Sequence, residues 1–210
     1  DNIDIVLSEL DAVANIDLVS KQIKPDHKQL TFIRLGTSGS LQEDIPVDAF
    51  LASSHGLGFD GLVHYYANSE SLSDNEFVEE FMEAVNWDKK LPKPYLAESD
   101  GELLKKAIDL GFYSGVTATA TGFYGPQGRI LRLGIKDNAL NEKLSMFRYK
   151  NMRITNFEME TSGIYGLSKL MGHRAITINC IVANRFTGQF SKDYHQSMHQ
   201  LIGKVMEAYL

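Results

Sequence analysis

Cysteine is nearly absent from this 210-residue chain, where Cys180 stands alone. A single thiol excludes an internal disulfide framework and any cysteine-rich zinc site, and it is compatible with a reducing cytoplasm. Long apolar runs are missing, so no stretch reads as a membrane span. The first residues lack the basic and apolar regions of a signal peptide. Basic charge is not in excess: 21 Lys and Arg against 27 Asp and Glu give a net charge of −6. That balance argues against a broad nucleic-acid-binding surface, though not against a small basic pocket for an anion. Repeats, low-complexity segments and a Gly-x-Ser-x-Gly elbow are also lacking. The six histidines are scattered, and none shares a ligand spacing with Cys180 or the acids, so no metal site is expected. What remains is a composition of 43% hydrophobic and 23% charged residues, ordinary for a soluble globular protein. A chain of this length buries a sizeable core without staples, and one domain over residues 1–210 is expected.

The pattern along the chain alternates. Ile3, Val6, Leu7, Leu10 and Val13 predict a helix over 3–14. Leu30–Leu35 predicts a buried strand, broken by Gly36-Thr37-Ser38-Gly39. Val47–Ser53 predicts a second strand, followed by a glycine-rich turn at His55–Gly61 and an extended stretch over 62–66. Further helices are expected over Asn75–Val85 (capped by Ser73 or Asp74), over Leu103–Leu110 (capped by Ser99 or Asp100), and over 140–148, Thr161–Met171 and 192–209. Further strands are expected at Phe112–Thr121, Ile154–Phe157 and His173–Val182, with Lys89–Tyr95 as a loop. Alternating strands and helices argue for an α/β fold with a mixed or parallel sheet.

Four segments hold residues suited to chemistry. Gly56-x-Gly58-x-x-Gly61 fits a dinucleotide-binding pattern, but the following Leu62–Tyr66 does not open as a helix, so a turn is expected instead. Arg34-Leu35-Gly36-Thr37-Ser38-Gly39 joins a guanidinium, backbone N–H groups and hydroxyls where α/β sheets bind ligands. Phosphate suits it; so does a plain turn with Arg34 paired to a carboxylate. Phe123-Tyr124-Gly125-Pro126-Gln127-Gly128-Arg129 offers donors, an acceptor and aromatic faces to a heterocycle, or else forms a solvated loop with aromatic anchors. In Glu158-Met159-Glu160 a carboxylate can accept from a sugar diol, or complement the dipole of the next helix.

Taken in order, the last three of these segments, with Cys180-Ile181-Val182-Ala183-Asn184-Arg185, resemble the nucleoside phosphorylase family, in its uridine phosphorylase branch. The resemblance runs over nearly the whole chain. It implies a single domain with a mixed central sheet flanked by helices. It implies phosphate binding by Arg34, Gly36 and Thr37. Base binding falls to Phe123, Gln127 and Arg129, with Val182 and Ala183 walling the pocket. Ribose binding falls to Glu158, Met159 and Glu160, and Arg185 ties down a flap over Phe186–Phe190. No aspartate occurs between Gly172 and Ser191, where purine-specific relatives carry one, so a pyrimidine nucleoside is the expected substrate.

The implied reaction is reversible phosphorolysis of uridine in nucleoside salvage or catabolism. Phosphate is the co-substrate, and neither an organic cofactor nor a catalytic metal is used; some relatives hold a monovalent cation at an interface. A cytoplasmic homo-oligomer is implied, a dimer or a hexamer with active sites shared between subunits. A purine nucleoside phosphorylase, a nucleosidase of the same fold and a non-catalytic nucleoside-binding protein are the alternatives. Related chains begin with a Gly-Asp-Pro-type phosphate loop, so an N-terminal segment ahead of Asp1 is also expected.

Overall fold

The computed structural model describes residues 2–209. Among them lie helices α1 (Asn2–Asn15), α2 (Asn75–Val85), α3 (Gly101–Asp109), α4 (Leu140–Met146), α5 (Thr161–Leu170) and α6 (Tyr194–Tyr209). The strands are β1 (Ile16–Asp17), β2 (Gln22–Ile23), β3 (Thr31–Ser40), β4 (Phe50–Gly58), β5 (Tyr95–Glu98), β6 (Tyr113–Thr119), β7 (Arg148–Tyr149), β8 (Met152–Glu158), β9 (Arg174–Asn184) and β10 (Gln189–Phe190). The main sheet runs β10-β9-β3-β8-β6-β4-β5, and β9 pairs β4 as well, so β9, β3, β8, β6 and β4 close into a ring. β3 is parallel to β9, while β4 and β8 are each parallel to β6. The two sets meet antiparallel at two short seams: Gly39–Ser40 against Phe157 and Asn156, and Phe50–Ala52 against Cys180–Ile178. This is the expected α/β class with a mixed central sheet, curled into a partial barrel.

The helices form where local signals and apolar spacing agree. In α2, the Asp74 carboxylate accepts from Phe77 N at 3.2 Å, Phe77, Phe81 and Val85 are buried, and left-handed Asn86 ends the helix. In α3, Asp100 accepts from Leu103 N at 3.0 Å. The helices cover the outside of the sheet. Phe77 and Phe81 of α2 each meet the Phe147 ring at 5.3 Å between centroids, edge to face. Leu57, Val116, Ile154 and Phe157 complete that cluster from the sheet. A second cluster gathers Leu7 of α1 with Ile164 and Tyr165 of α5, and a third sets Leu103 and Leu201 against Ile176 and Ile178.

Several local expectations are corrected. Gly36–Gly39 does not break the strand: β3 continues through Ser40 and pairs with β9 along its whole length. The glycine at 36 answers to space, since a Cβ there would fall 2.5 Å from Arg34 Nη1. His55–Gly58 is strand as well, and β4 begins at Phe50 rather than Val47. Its glycines admit α5, because a Cβ on Gly56 would lie 2.7 Å from the Ser162 backbone. Only Gly61 of that run turns left-handed, at φ 71°. It starts a short 3-10 helix over Leu62–Tyr65, where an extended stretch was expected; the Asp60 carboxylate, just ahead of that turn, accepts from Leu62 N at 2.7 Å. Strand β5 was not expected: its first residue, Tyr95, falls in the stretch expected as a loop, and the strand is too short to carry its own periodicity, yet it pairs antiparallel with β4. Among the described residues no helix is long and apolar enough to cross a membrane.

Candidate active site

Arg34 projects from β3 toward two acids placed by the end of β8. Its Nη1 donates to Asn179 Oδ1 at 3.0 Å and lies 3.4 Å from Glu158 Oε2, while its Nη2 donates to Glu160. Glu158 is buried and accepts from Thr119 Oγ1 at 2.7 Å and from the backbone N–H groups of Glu160 and Thr161 at 2.9 Å each. Burial pushes the Glu158 carboxyl above the usual range, opposed by the Arg34 guanidinium and by these hydrogen bonds. Glu160 stands at the N-cap position of α5 without a side-chain capping bond; its carboxylate turns to Arg34 instead. Met159 is half-buried between them, and Thr37, one residue past Gly36, is exposed.

The second group is built on the loop after β6. A short 3-10 turn over Gly125–Gln127 buries the Gln127 side chain, and left-handed Gly128 closes it. Gln127 Oε1 accepts from Arg129 Nη1 and from Arg185 Nη2, each at 2.6 Å. Arg185 Nη1 also donates to the Gln127 main-chain oxygen at 2.6 Å. With its oxygen held by two cations, the amide turns its NH2 group away from them. The Arg129 guanidinium packs over the Phe123 ring at 3.8 Å and donates to Phe123 O at 2.7 Å. Burial and the charge on Arg129 lower the Arg185 pKa to about 10; burial lowers that of Arg129 too. Two positive charges therefore converge on a neutral amide.

The seam between β3 and β8 brings the two groups near each other. Gly39 pairs with Phe157, the residue before Glu158, and the Phe157 ring lies 5.5 Å from the Arg185 guanidinium. Beyond Arg185, Asn184 holds the flap at its root. Its Oδ1 accepts from Phe186 N and Thr187 N at 2.8 and 2.9 Å, and its Nδ2 donates to Gln42 O and Ile45 O. β10 folds back on Ala183 and Asn184, leaving Phe186 and Phe190 exposed. Val182 and Ala183 are half-buried, and Val182 packs toward the cluster beneath α6.

Sequence reasoning missed Asn179, Thr119, Asp60 and Ser162. Ser162 Oγ donates to Asp60 at 3.1 Å, and Ser162 N donates to Thr119 Oγ1 at 3.0 Å, which locks the start of α5 against β6. The available signal was polar residues inside otherwise apolar strands, such as Asn179 between Ile178 and Cys180. Asp11, His27 and His173 offer a metal-like grouping. Leu30 N donates to His173 Nδ1 at 3.2 Å, so the ring proton sits on Nε2, facing Asp11 at 3.0 Å. With both nitrogens engaged, the imidazole has no lone pair for a cation, and the grouping instead tethers α1 to the turn before β9. Cys180 is buried, and burial pushes its thiol up to about 11.

Arg34, Arg129 and Arg185 thus gather with Glu158 and Glu160 around one seam of a curled α/β sheet. The chain belongs to the phosphorylase superfamily, whose family model matches residues 12–210. A uridine phosphorylase of Thermococcus kodakarensis is 29% identical over 164 residues, covering 77% of this chain and 51% of that protein. The Escherichia coli uridine phosphorylase is 26% identical over 164 residues, covering 74% of this chain and 54% of its own length. The chain thus spans about half the length of these curated relatives. Among solved structures, a Trypanosoma brucei nucleoside phosphorylase described as showing uridine phosphorylase activity superposes with a TM-score of 0.80 at 26% identity. It covers 99% of this chain and 76% of that one.

Proposed function

We propose that this chain forms one phosphorylase-like domain of an enzyme that carries out reversible phosphorolysis of uridine to uracil and ribose 1-phosphate. The observation that carries this reading is the convergence of Arg129 and Arg185 on Gln127, with Phe123 beneath Arg129. A uracil ring presents carbonyl oxygens along one edge, and that edge gains negative charge as the glycosidic bond breaks. Guanidinium donors fixed beforehand stabilise such charge without reorganising at the moment of reaction. Phosphate takes Arg34 and the backbone at Gly36 and Thr37. Glu160, with Met159 beside it and Glu158 behind it, takes the ribose hydroxyls and holds the sugar in line.

In the step itself, a phosphate oxygen attacks the anomeric carbon and the carbon–nitrogen bond to the base breaks. The bonding pair leaves on uracil, and the proton carried by hydrogen phosphate ends on uracil N1. Val182 and Ala183 wall the base side, and the hairpin beyond Arg185 covers it. The exposed Phe123, Tyr124, Phe186 and Phe190 around this mouth support a homo-oligomer in which a second copy completes the site. A cytoplasmic protein in nucleoside salvage or catabolism fits this chemistry.

Uracil release from uridine, measured with and without phosphate, tests the reading. Arg129→Ala and Gln127→Ala are each expected to lower turnover by ~10²–10³. Cleavage of inosine but not uridine overturns the pyrimidine assignment. Release without phosphate overturns phosphorolysis in favour of hydrolysis.

A further inference from the structure

One chain of hydrogen-bonded polar side chains crosses the interior of the strand ring to Arg34. Asn179 on β9 sits beside Gly36 of β3 on one side and Leu51 of β4 on the other. Its Oδ1 accepts from Arg34 Nη1 at 3.0 Å, and its Nδ2 donates to Ser53 Oγ at 3.4 Å. Ser53 Oγ lies 2.6 Å from Thr117 Oγ1, which donates to Asn156 Oδ1 at 2.8 Å; Asn156 Nδ2 donates to Ser38 Oγ at 3.0 Å. Ser53, Thr117, Asn156 and Asn179 have no exposed surface, and all five strands of the ring contribute.

The direction of this chain is fixed from one end. A guanidinium only donates, so Asn179 must face it with oxygen and turn its NH2 group to Ser53. Because Thr117 donates to Asn156, Ser53 must donate to Thr117, which leaves its lone pairs for Asn179. Every dipole therefore points its negative end toward Arg34, the arrangement in which hydrogen bonds reinforce one another. Apart from the ion-pair contact with Glu158 at 3.4 Å, the two hydrogen-bonding anchors of the guanidinium then differ in kind. Glu160 is half-exposed and, in the function proposed above, is also wanted by the sugar. Asn179 is sealed in and has no competing partner.

We propose that Asn179 is the positioning residue of Arg34, and that the Ser53–Thr117–Asn156–Ser38 chain behind it keeps the guanidinium aimed when Glu160 turns to substrate. The proposal rests on the phosphate role given to Arg34. It predicts a graded series in affinity for inorganic phosphate. Asn179→Leu, which keeps the bulk and removes the acceptor, is expected to weaken phosphate binding by about tenfold or more. Ser53→Ala is expected to weaken it severalfold, and Thr117→Val less.

The experiment combines calorimetric titration of the protein with inorganic phosphate and nitrogen-15 NMR of the Arg34 side chain. In the wild type the Arg34 Nη signals are expected to be resolved, because rotation of the held guanidinium is slow. In Asn179→Leu they are expected to merge, while Asn179→Asp, which restores an acceptor oxygen, separates them again. For kinetics with uridine, KM for phosphate is expected to rise in Ser53→Ala with KM for uridine little changed. A role confined to stability moves the melting temperature without that split. Resolved Nη signals in Asn179→Leu, or unchanged signals and phosphate affinity in a folded Ser53→Ala, overturn the proposal. If the wild type binds no phosphate, the phosphate reading falls, and the positioning claim is still decided by the NMR arm.

Discussion

The molecule treats its arginines in two ways. Arg34 is surrounded by compensation: Glu158 at 3.4 Å, Glu160 on its other nitrogen and the Asn179 carbonyl beneath it. Arg129 and Arg185 share one neutral amide, and burial together with the charge on Arg129 lowers the Arg185 pKa to about 10. The first site is electrically settled before any ligand arrives, so an incoming anion must compete with Glu160 for the guanidinium. The second is short of negative charge, and an anion forming there is stabilised without displacing one. In the function proposed above, the settled site binds and positions, while the unsettled one favours the state in which charge appears.

The comparison is broken most severely at Glu158. Glu158→Leu leaves Arg34 without its buried counter-charge and strands the Thr119 hydroxyl and two backbone N–H groups, at an expected cost of ~3–5 kcal/mol by urea denaturation. Next come two glycine substitutions, on strands β4 and β3 of the ring. Gly56→Ala drives a Cβ into the Ser162 backbone, which has nowhere to go, and is expected to cost ~1–3 kcal/mol. Gly36→Ala meets only the far end of a flexible side chain, the Arg34 guanidinium. By displacing that guanidinium from Asn179 and Glu158 it is expected to lower phosphate affinity, with a smaller loss of stability than Gly56→Ala. A large loss of stability there, with phosphate affinity intact, separates Gly36 from Arg34.

The smallest effect is in pH. The Glu158 pKa is raised on folding, so the folded state holds its proton more tightly than the unfolded chain. The carboxyl therefore contributes a loss of stability as pH rises from its unfolded value of 4.5 through its folded value. Asp100, lowered by Arg174, works in the opposite sense: its contribution is full above 3.8 and is lost as pH falls through the folded value. Denaturation curves of Glu158→Gln against wild type are expected to diverge in slope above pH 4.5. Parallel curves there contradict the assignment of burial as the larger influence on Glu158.

Much of this architecture was legible from local pattern. The helix over Asn75–Val85 has the expected bounds because its cap and its apolar spacing lie in one segment. Arg34, Gln127, Arg129, Glu158, Glu160 and Arg185 were all singled out, since charged or amide groups in glycine-rich or strand-ending segments stand out. The run from Gly36 to Gly39 was misread because glycine signals a turn, whereas here it makes room for a guanidinium folded back on its own strand. Asn179, Ser53 and Thr117 went unnoticed because a polar residue in a strand looks like the solvent face of an ordinary sheet.

By itself, then, the sequence determined the α/β alternation, the helix caps and which charged groups were available, because each depends on residues a few positions apart. Tertiary structure alone decided that five strands close into a ring, which turns Asn179, Ser53, Thr117 and Asn156 inward and joins them to Arg34. It also decided that Arg129 and Arg185, 56 positions apart in the chain, meet on one oxygen of Gln127. Hydrogen bonds between distant strands depend on register and curvature, and those are set by how the helices pack on the sheet rather than by any one segment.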